Sequence, residues 1–133
     1  MADPGPFKLS PILTKASWDK QKGIIAKVFK TETGIGKAID MMTVSHKQVN
    51  WDRFRGTTAP KKEYEAEYGT NVKELMSDLD DLETKCVKVN ASFKKNPLIP
   101  KSTTKALSDI GVEAAKLSLA LATHYDKTVK TLK

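Results

Sequence analysis

A single cysteine in 133 residues excludes an internal disulfide, and two histidines are too few for the Cys and His ladder of a structural zinc site. No apolar run approaches the roughly 18 residues that a membrane span requires. The opening stretch from Met1 to Leu9 lacks a basic region followed by an apolar one. No secretory leader is therefore expected, and a cytoplasmic location is, with signal-independent export left open. Strand signals are missing as well: there is no alternating β-branched run and no Asn-Gly hairpin turn. Arginine makes up only two of the 23 basic residues, so the side chain that reads bases bidentately is scarce. With no helix-turn-helix, RNA-recognition or zinc-finger pattern either, sequence-specific nucleic-acid binding is not expected.

What is present is lysine and helical periodicity. Hydrophobic residues are 39% of the chain and charged residues 29%, with a mean hydropathy of −0.44, the balance of a soluble helical domain. A chain of this mass buries about two thirds of its unfolded surface, enough for one core without a metal or disulfide. Residues 1–9, with Pro4, Gly5 and Pro6, read as a flexible N-terminal arm, and residues 10–133 as one helical-bundle domain.

Ser10-Pro11 reads as a helix start, because serine caps orphan N–H groups and proline fits the first turn. From there to about Thr33, Trp18, Ile24, Ile25, Val28 and Phe29 share one arc, opposite Lys15, Lys20, Lys22, Lys27 and Lys30. Gly34 and Gly36 end this helix, and a second is expected from about Ile35 to Arg55, stopped by Gly56. The third opens at Pro60 with Glu63, Glu65 and Glu67 at its positive end. Its apolar seam is Tyr64, Tyr68, Val72, Leu75, Leu79, Leu82, Cys86, Val89 and Phe93, spaced by threes and fours in the heptad manner. Lys94 and Lys95 suit its C-terminus, before Asn96-Pro97 breaks it. Gly69 is its one interior blemish, costing about 1 kcal/mol against alanine.

A fourth helix runs from about Lys105, capped by Ser102, Thr103 or Thr104. It carries one seam through Leu107, Ile110, Ala114, Leu117, Leu121, Tyr125, Thr128 and Leu132, and a second through Val112, Ala115, Leu119, Ala122 and Val129. So wide an apolar surface predicts a helix inside a bundle rather than at its edge. The short loop around Pro97 and Pro100 makes the third and fourth helices a long hairpin. The fold expected is all-α: an antiparallel bundle of four helices, with a short first pair and a long second pair. The alternative is a three-helix bundle, if the break at Gly34–Gly36 only kinks one long first rod.

Catalytic and metal signatures fail on inspection. Glu74, Asp78 and Asp81 share a helix face, but no Glu-x-x-His pair faces them, and the group reads as a solvated surface. His46 and His124 sit at the edges of apolar faces, and the run His124, Tyr125, Asp126 points three ways around a helix. Cys86, on the heptad seam, reads as a buried, inert thiol. Gly34-Ile35-Gly36-Lys37 lacks the first glycine and the terminal Ser or Thr of a phosphate-binding loop. No cofactor, metal or catalytic residue is expected.

The net charge of +7 is unevenly spread: +5 over residues 1–60, −5 over 61–83, and +7 over 84–133. The expected function is therefore non-enzymatic: protein–protein contact or small structural assembly, including self-association. Tyr64, Tyr68, Trp18 and Phe29 are the candidate anchors, with the tyrosines at an open end of the third helix. The alternative is non-specific contact with a phosphate backbone or anionic surface. Its candidate residues are Arg53, Arg55, Lys61 and Lys62 around the second loop, and Lys94, Lys95, Lys101 and Lys105 around the third. The cationic first helix would suit contact with a membrane surface.

Overall fold

Periodicity at threes and fours produces helices throughout. The computed structural model describes residues 4–26, 34–56 and 58–132, with side chains described at all of these but 24–26. Two short 3-10 turns, Gly5–Phe7 and Pro11–Leu13, lead into α1 (Lys15–Ala26), α2 (Ile35–Lys47) and α3 (Trp51–Gly56). Next come α4 (Lys61–Tyr64), a π turn at Glu65–Gly69 and α5 (Thr70–Lys94), which together make a continuous rod over residues 61–94. The last element is α6 (Lys101–Thr131). Among the described residues there is no strand, and the helices pack against one another.

The helix starts differ from expectation in instructive ways. Ser10 caps nothing, and Pro11 opens only a 3-10 turn. The cap of α1 is Thr14, whose Oγ1 accepts a hydrogen bond from the Ser17 N–H at 3.3 Å. Helix α6 starts at Lys101, directly after Pro100, with no side-chain cap. Gly34 holds a left-handed φ of 82°, a conformation glycine adopts freely, and so starts α2 afresh. Lys15 of α1 lies 3.7 Å from Asp40 of α2. One straight rod would hold those residues about 38 Å apart, so α1 folds back on α2 and the single first rod is not adopted. Ile24, Ile25, Val28 and Phe29, expected on the apolar arc of α1, lie outside the residues whose side chains are described.

The expected second helix is two. It breaks at 48–50, where Asn50 turns the chain: its carbonyl accepts from the Phe54 N–H at 2.9 Å and its Oδ1 from the Arg53 N–H at 3.5 Å. The π turn in the rod also has a sequence cause. Tyr64, Tyr68 and Val72 are each four apart, a spacing that drifts around an α-helix, and a wider i→i+5 turn absorbs the surplus. All three side chains consequently face the core.

The core runs along α5. Val72, Leu75, Leu79 and Leu82 are completely buried, each contributing about 1.5–3 kcal/mol by leaving water. Helix α6 answers with Leu107, Ile110, Ala114 and Leu121. Contacts descend α6 as they climb α5: Gly69 meets Tyr125, Asp80 accepts from the Ser118 hydroxyl at 3.1 Å, and Cys86 backs onto Gly111. Helix α2 lies on the other flank of α5, where the Ser45 hydroxyl donates to Asp78.

The arm is not loose where it is described. Phe7 is 5% exposed, stacked on Trp51 at 5.7 Å and set edge-on to Phe54 at 5.4 Å. Leu13 is buried as well. Apolar content explains the correction: Pro4, Gly5 and Pro6 mark a turn, but Phe7 is too large an apolar group to leave in water.

Candidate functional site

The proposed anchors are core residues. Tyr64 is fully buried, and Tyr68 and Trp18 are each 1% exposed. The rod has no open end at the tyrosines, because α3 and α6 close over them. Phe54 stacks on Tyr64 at 6.2 Å, and Tyr125 stacks on Tyr64 at 5.6 Å. Burial pushes the hydroxyls of Tyr64 and Tyr68 up to about 12. Three aromatic rings spent in this way offer nothing to a partner, and Phe29 lies outside the described residues.

The basic candidates do not gather. Arg53 reaches Glu67 at 3.7 Å, and Arg55 reaches Asp52 at 3.2 Å and the Trp51 carbonyl at 3.3 Å. Lys61 and Lys62 are exposed at the start of the rod, and Lys94 and Lys95 at its end. At 1.5 Å per residue those two groups stand about 48 Å apart, so they form two surfaces and not one.

Both histidines are occupied by backbone. His46 Nε2 bonds the Phe7 carbonyl at 2.9 Å, and His124 Nε2 bonds the Phe54 carbonyl at the same distance. Burial holds the His46 imidazole below its usual range, opposed by the bond to Phe7. Cys86 is buried as expected; burial, with Glu83 beside it, raises its thiol to about 12. Among the described residues, no three His, Cys, Asp or Glu side chains gather as a metal site would need.

What the fold leaves open is the outer face of the α5–α6 pair. Val87 is 62% exposed, Val112 49% and Leu119 69%. The expectation that α6 lies inside the bundle is met only in part: Val112 and Leu119 of its second seam face outward, while Val129 packs against the core. Between the two helices runs a groove of about 440 Å³, with Val87, Ala91, Val112 and Ala115 along it and Gly111 and Cys86 at its base. Asn90 also lines it, 8% exposed, and its Oδ1 has no hydrogen-bond partner within the chain.

Charge frames this groove. On α5 the face reads Glu83, Val87, Ala91, Lys94; on α6 it reads Lys101, Lys105, Ser108, Val112, Ala115, Leu119, at spacings of three and four. From Thr84 to Ser108 the chain holds six lysines and no acidic residue. Lys105 pairs with Asp109 at 2.9 Å and Lys116 with Glu113 at 3.7 Å. Exposed pairs of this kind are worth less than about 1 kcal/mol, so they exchange readily for other carboxylates.

A second exposed apolar patch lies on α2. Met41 is 51% exposed and Val44 57%, beside a shallow cavity of about 270 Å³ that Asp40, Glu74 and Asp78 also line. Its lining is acidic, whereas the first groove holds Glu83 toward one end and Lys94 toward the other. Asp78 and Val87 are nine residues apart on one helix, a rotation of about 180°, so the two patches lie on opposite flanks of α5.

Sequence reasoning missed Val87, Val112 and Leu119 as surface, although the signal was visible. Helix α6 carries two apolar seams, and over its middle turns one facing helix covers only one of them.

No family model, curated protein sequence or solved structure matches this chain. Among the described residues, no helix is long and apolar enough to cross a membrane. The site's own chemistry therefore carries the functional argument.

Proposed function

We propose that this chain is a non-enzymatic, antiparallel helical bundle, four helices in its main body, which works by protein–protein contact through the outer α5–α6 face. The observation that carries this reading is the exposure of Val87 and Val112 along a groove with an unpartnered, nearly buried Asn90, continued by exposed Leu119 one heptad further along α6. Burying those side chains and supplying a donor to Asn90 would each favour a bound partner. The groups that would do chemistry are already engaged: both imidazoles hold backbone carbonyls, and the thiol is kept protonated.

A photo-reactive amino acid at Leu119 tests the reading in extracts of the native source. A discrete cross-linked protein is expected from that position and none from Lys127, an exposed site on the same helix. Identical products from the two positions would remove the reading.

Contact with a phosphate backbone is the second reading, favoured by the lysine run from 84 to 108. It predicts binding to duplex DNA that falls steeply and linearly on a logarithmic salt axis. A flat salt response counts against it.

A further inference from the structure

We propose that the α5–α6 groove binds a single-chain amphiphile whose head carries a hydrogen-bond donor and an anion, as an N-acyl amino acid does. The inference goes beyond the protein-contact reading and leaves it room, because Leu119 lies one heptad past Val112, outside the groove lining. Three observations converge on this occupant. The groove holds about 440 Å³, within the range of small-molecule clefts. Its walls are apolar along most of their length, with Val87 and Ala91 on α5 and Val112 and Ala115 on α6. Asn90 stands among them, 8% exposed, and its Oδ1 meets no donor of the chain. A buried acceptor left open in this way is the feature that a ligand's N–H or O–H answers.

The two ends of the groove set the ligand's direction. Glu83 and Lys94 both line it, about 16 Å apart along α5 at 1.5 Å per residue. Lys94 lies one helical turn beyond Asn90 on the same face, so a head bound to the amide places its anion beside the ammonium. Register adds a third polar group. Four residues on from Cys86 along α5 is Asn90, and three back from Gly111 along α6 is Ser108, an exposed lining residue. An anion at the opposite end would meet Glu83. The apolar chain therefore runs from Asn90 across Gly111, which has no side chain to block it, and past Val87 and Val112 toward Glu83. A bilayer is the poorer source of such a chain, because its surface is broad and the open acceptor is sunk between two helices.

Isothermal titration calorimetry on the whole chain tests this with N-dodecanoylglycine, kept below its micelle concentration. The control is N-dodecanoylsarcosine, which has the same chain and carboxylate but a methyl group in place of the donor hydrogen. Dodecyltrimethylammonium supplies a cation of equal chain length. Two variants report on the site: Asn90→Leu removes the acceptor, and Ala115→Leu fills the groove with apolar volume. Circular dichroism with a melting curve checks that each folds. If Asn90→Leu fails to fold, Lys94→Glu, at an exposed position, tests the anion end in its place.

Wild type is expected to bind a single molecule of N-dodecanoylglycine with a dissociation constant on the order of 100 μM. The sarcosine is expected to bind about tenfold more weakly, the effect of leaving one acceptor unpaired, and the cation more weakly still. In Asn90→Leu the two acyl probes should bind alike, and Ala115→Leu should bind neither. Lys94→Glu should weaken both by about fivefold. Equal affinity of the two acyl probes for wild type overturns the proposal. So does a preference for the cation, or a probe ratio that Asn90→Leu leaves unchanged, or a Lys94→Glu variant that binds as wild type does. Binding seen only above the micelle concentration, or only to phosphatidylglycerol vesicles, overturns it as well. The cross-link at Leu119 is read independently, so failure of the probes sinks the ligand and leaves the contact surface standing.

Discussion

The two ends of the α5–α6 pair follow the same heptad seam and differ in what fills it. At the end where Gly69 meets Tyr125, aromatic rings crowd together: Phe54 lies within 6.2 Å, ring to ring, of Phe7, Trp51, Tyr64, Tyr68 and His124. Toward the other end, where Cys86 meets Gly111, the side chains between the helices are small and the space opens into the groove, with Phe93 and Leu107 buried beyond it. Large rings recruit extra chain to cover them, here α3 and the N-terminal turn. Small residues recruit nothing, and the surface stays available. One periodic pattern thus produces a sealed end and an open end, decided by side-chain volume.

Truncation should separate the two ends most sharply. Phe54→Ala, at the centre of the rings, is expected to lower stability by about 3–5 kcal/mol in urea unfolding. Val112→Ala, on the open side, should cost less than about 0.5 kcal/mol. Comparable losses would mean that the groove end is as tightly packed as the ring end.

Acid should loosen the ring end selectively. Burial holds the folded-state pKa of His46 below its ordinary 6.5, so the folded chain binds fewer protons there than the unfolded chain. The corresponding stability is complete above pH 6.5 and drains away as pH falls below that value toward the folded-state pKa. A melting-temperature profile between pH 8 and 5 reads this as a decline on the acid side, and His46→Gln should flatten it. An unchanged slope in that variant would assign the decline to other groups.

A smaller effect probes how tightly the ring end is sealed. An added Cβ at Gly69 would lie 3.0 Å from the Tyr125 hydroxyl oxygen, so that oxygen must yield for Gly69→Ala to fit. Alanine gains about 1 kcal/mol of helix propensity, and the crowding takes part of it back. Tyr125→Phe removes the hydroxyl. The double variant should therefore be more stable than the two single changes sum to, by about 0.5–1 kcal/mol. Simple additivity in denaturant titrations would show that the contact is slack.

The slightest perturbation is chemical. With its thiol raised to about 12, Cys86 holds very little thiolate at pH 8. An aromatic disulfide reagent should label it at least about 100-fold more slowly than a free small thiol. Mild urea should speed the reaction as the helices part. Rapid labelling in native buffer would show that the base of the groove opens without unfolding.

The all-helical class and the core of the rod were legible because they depend on local spacing. Val72, Leu75, Leu79 and Leu82 announce their shared face by position alone. Less legible was whatever depended on meetings between distant residues. The burial of Tyr64 and Tyr68 needs Phe54 and Tyr125, and no spacing in the sequence joins those residues. Phe7 looked like part of a loose arm because its partners, Trp51 and His124, lie far along the chain. The groove was half legible: the second seam of α6 was plain, but its exposure depends on how many helices come to cover it, a count the periodicity of one segment does not contain.

A leucine seam is nearly the same every seven residues, and a helix sliding along it by one heptad would still find apolar partners. On α5 two serine-to-carboxylate bonds, Ser45 to Asp78 and Ser118 to Asp80, sit almost level with each other and reach to opposite neighbours. A slip of either neighbour by one heptad would break its bond, bringing Ser45 level with Asn71 or Lys85 and Ser118 level with Lys73 or Val87 in place of a carboxylate. The pair therefore works as a vernier: greasy periodicity allows many alignments of the rods, and two short polar marks, read from both sides at one height, select a single one.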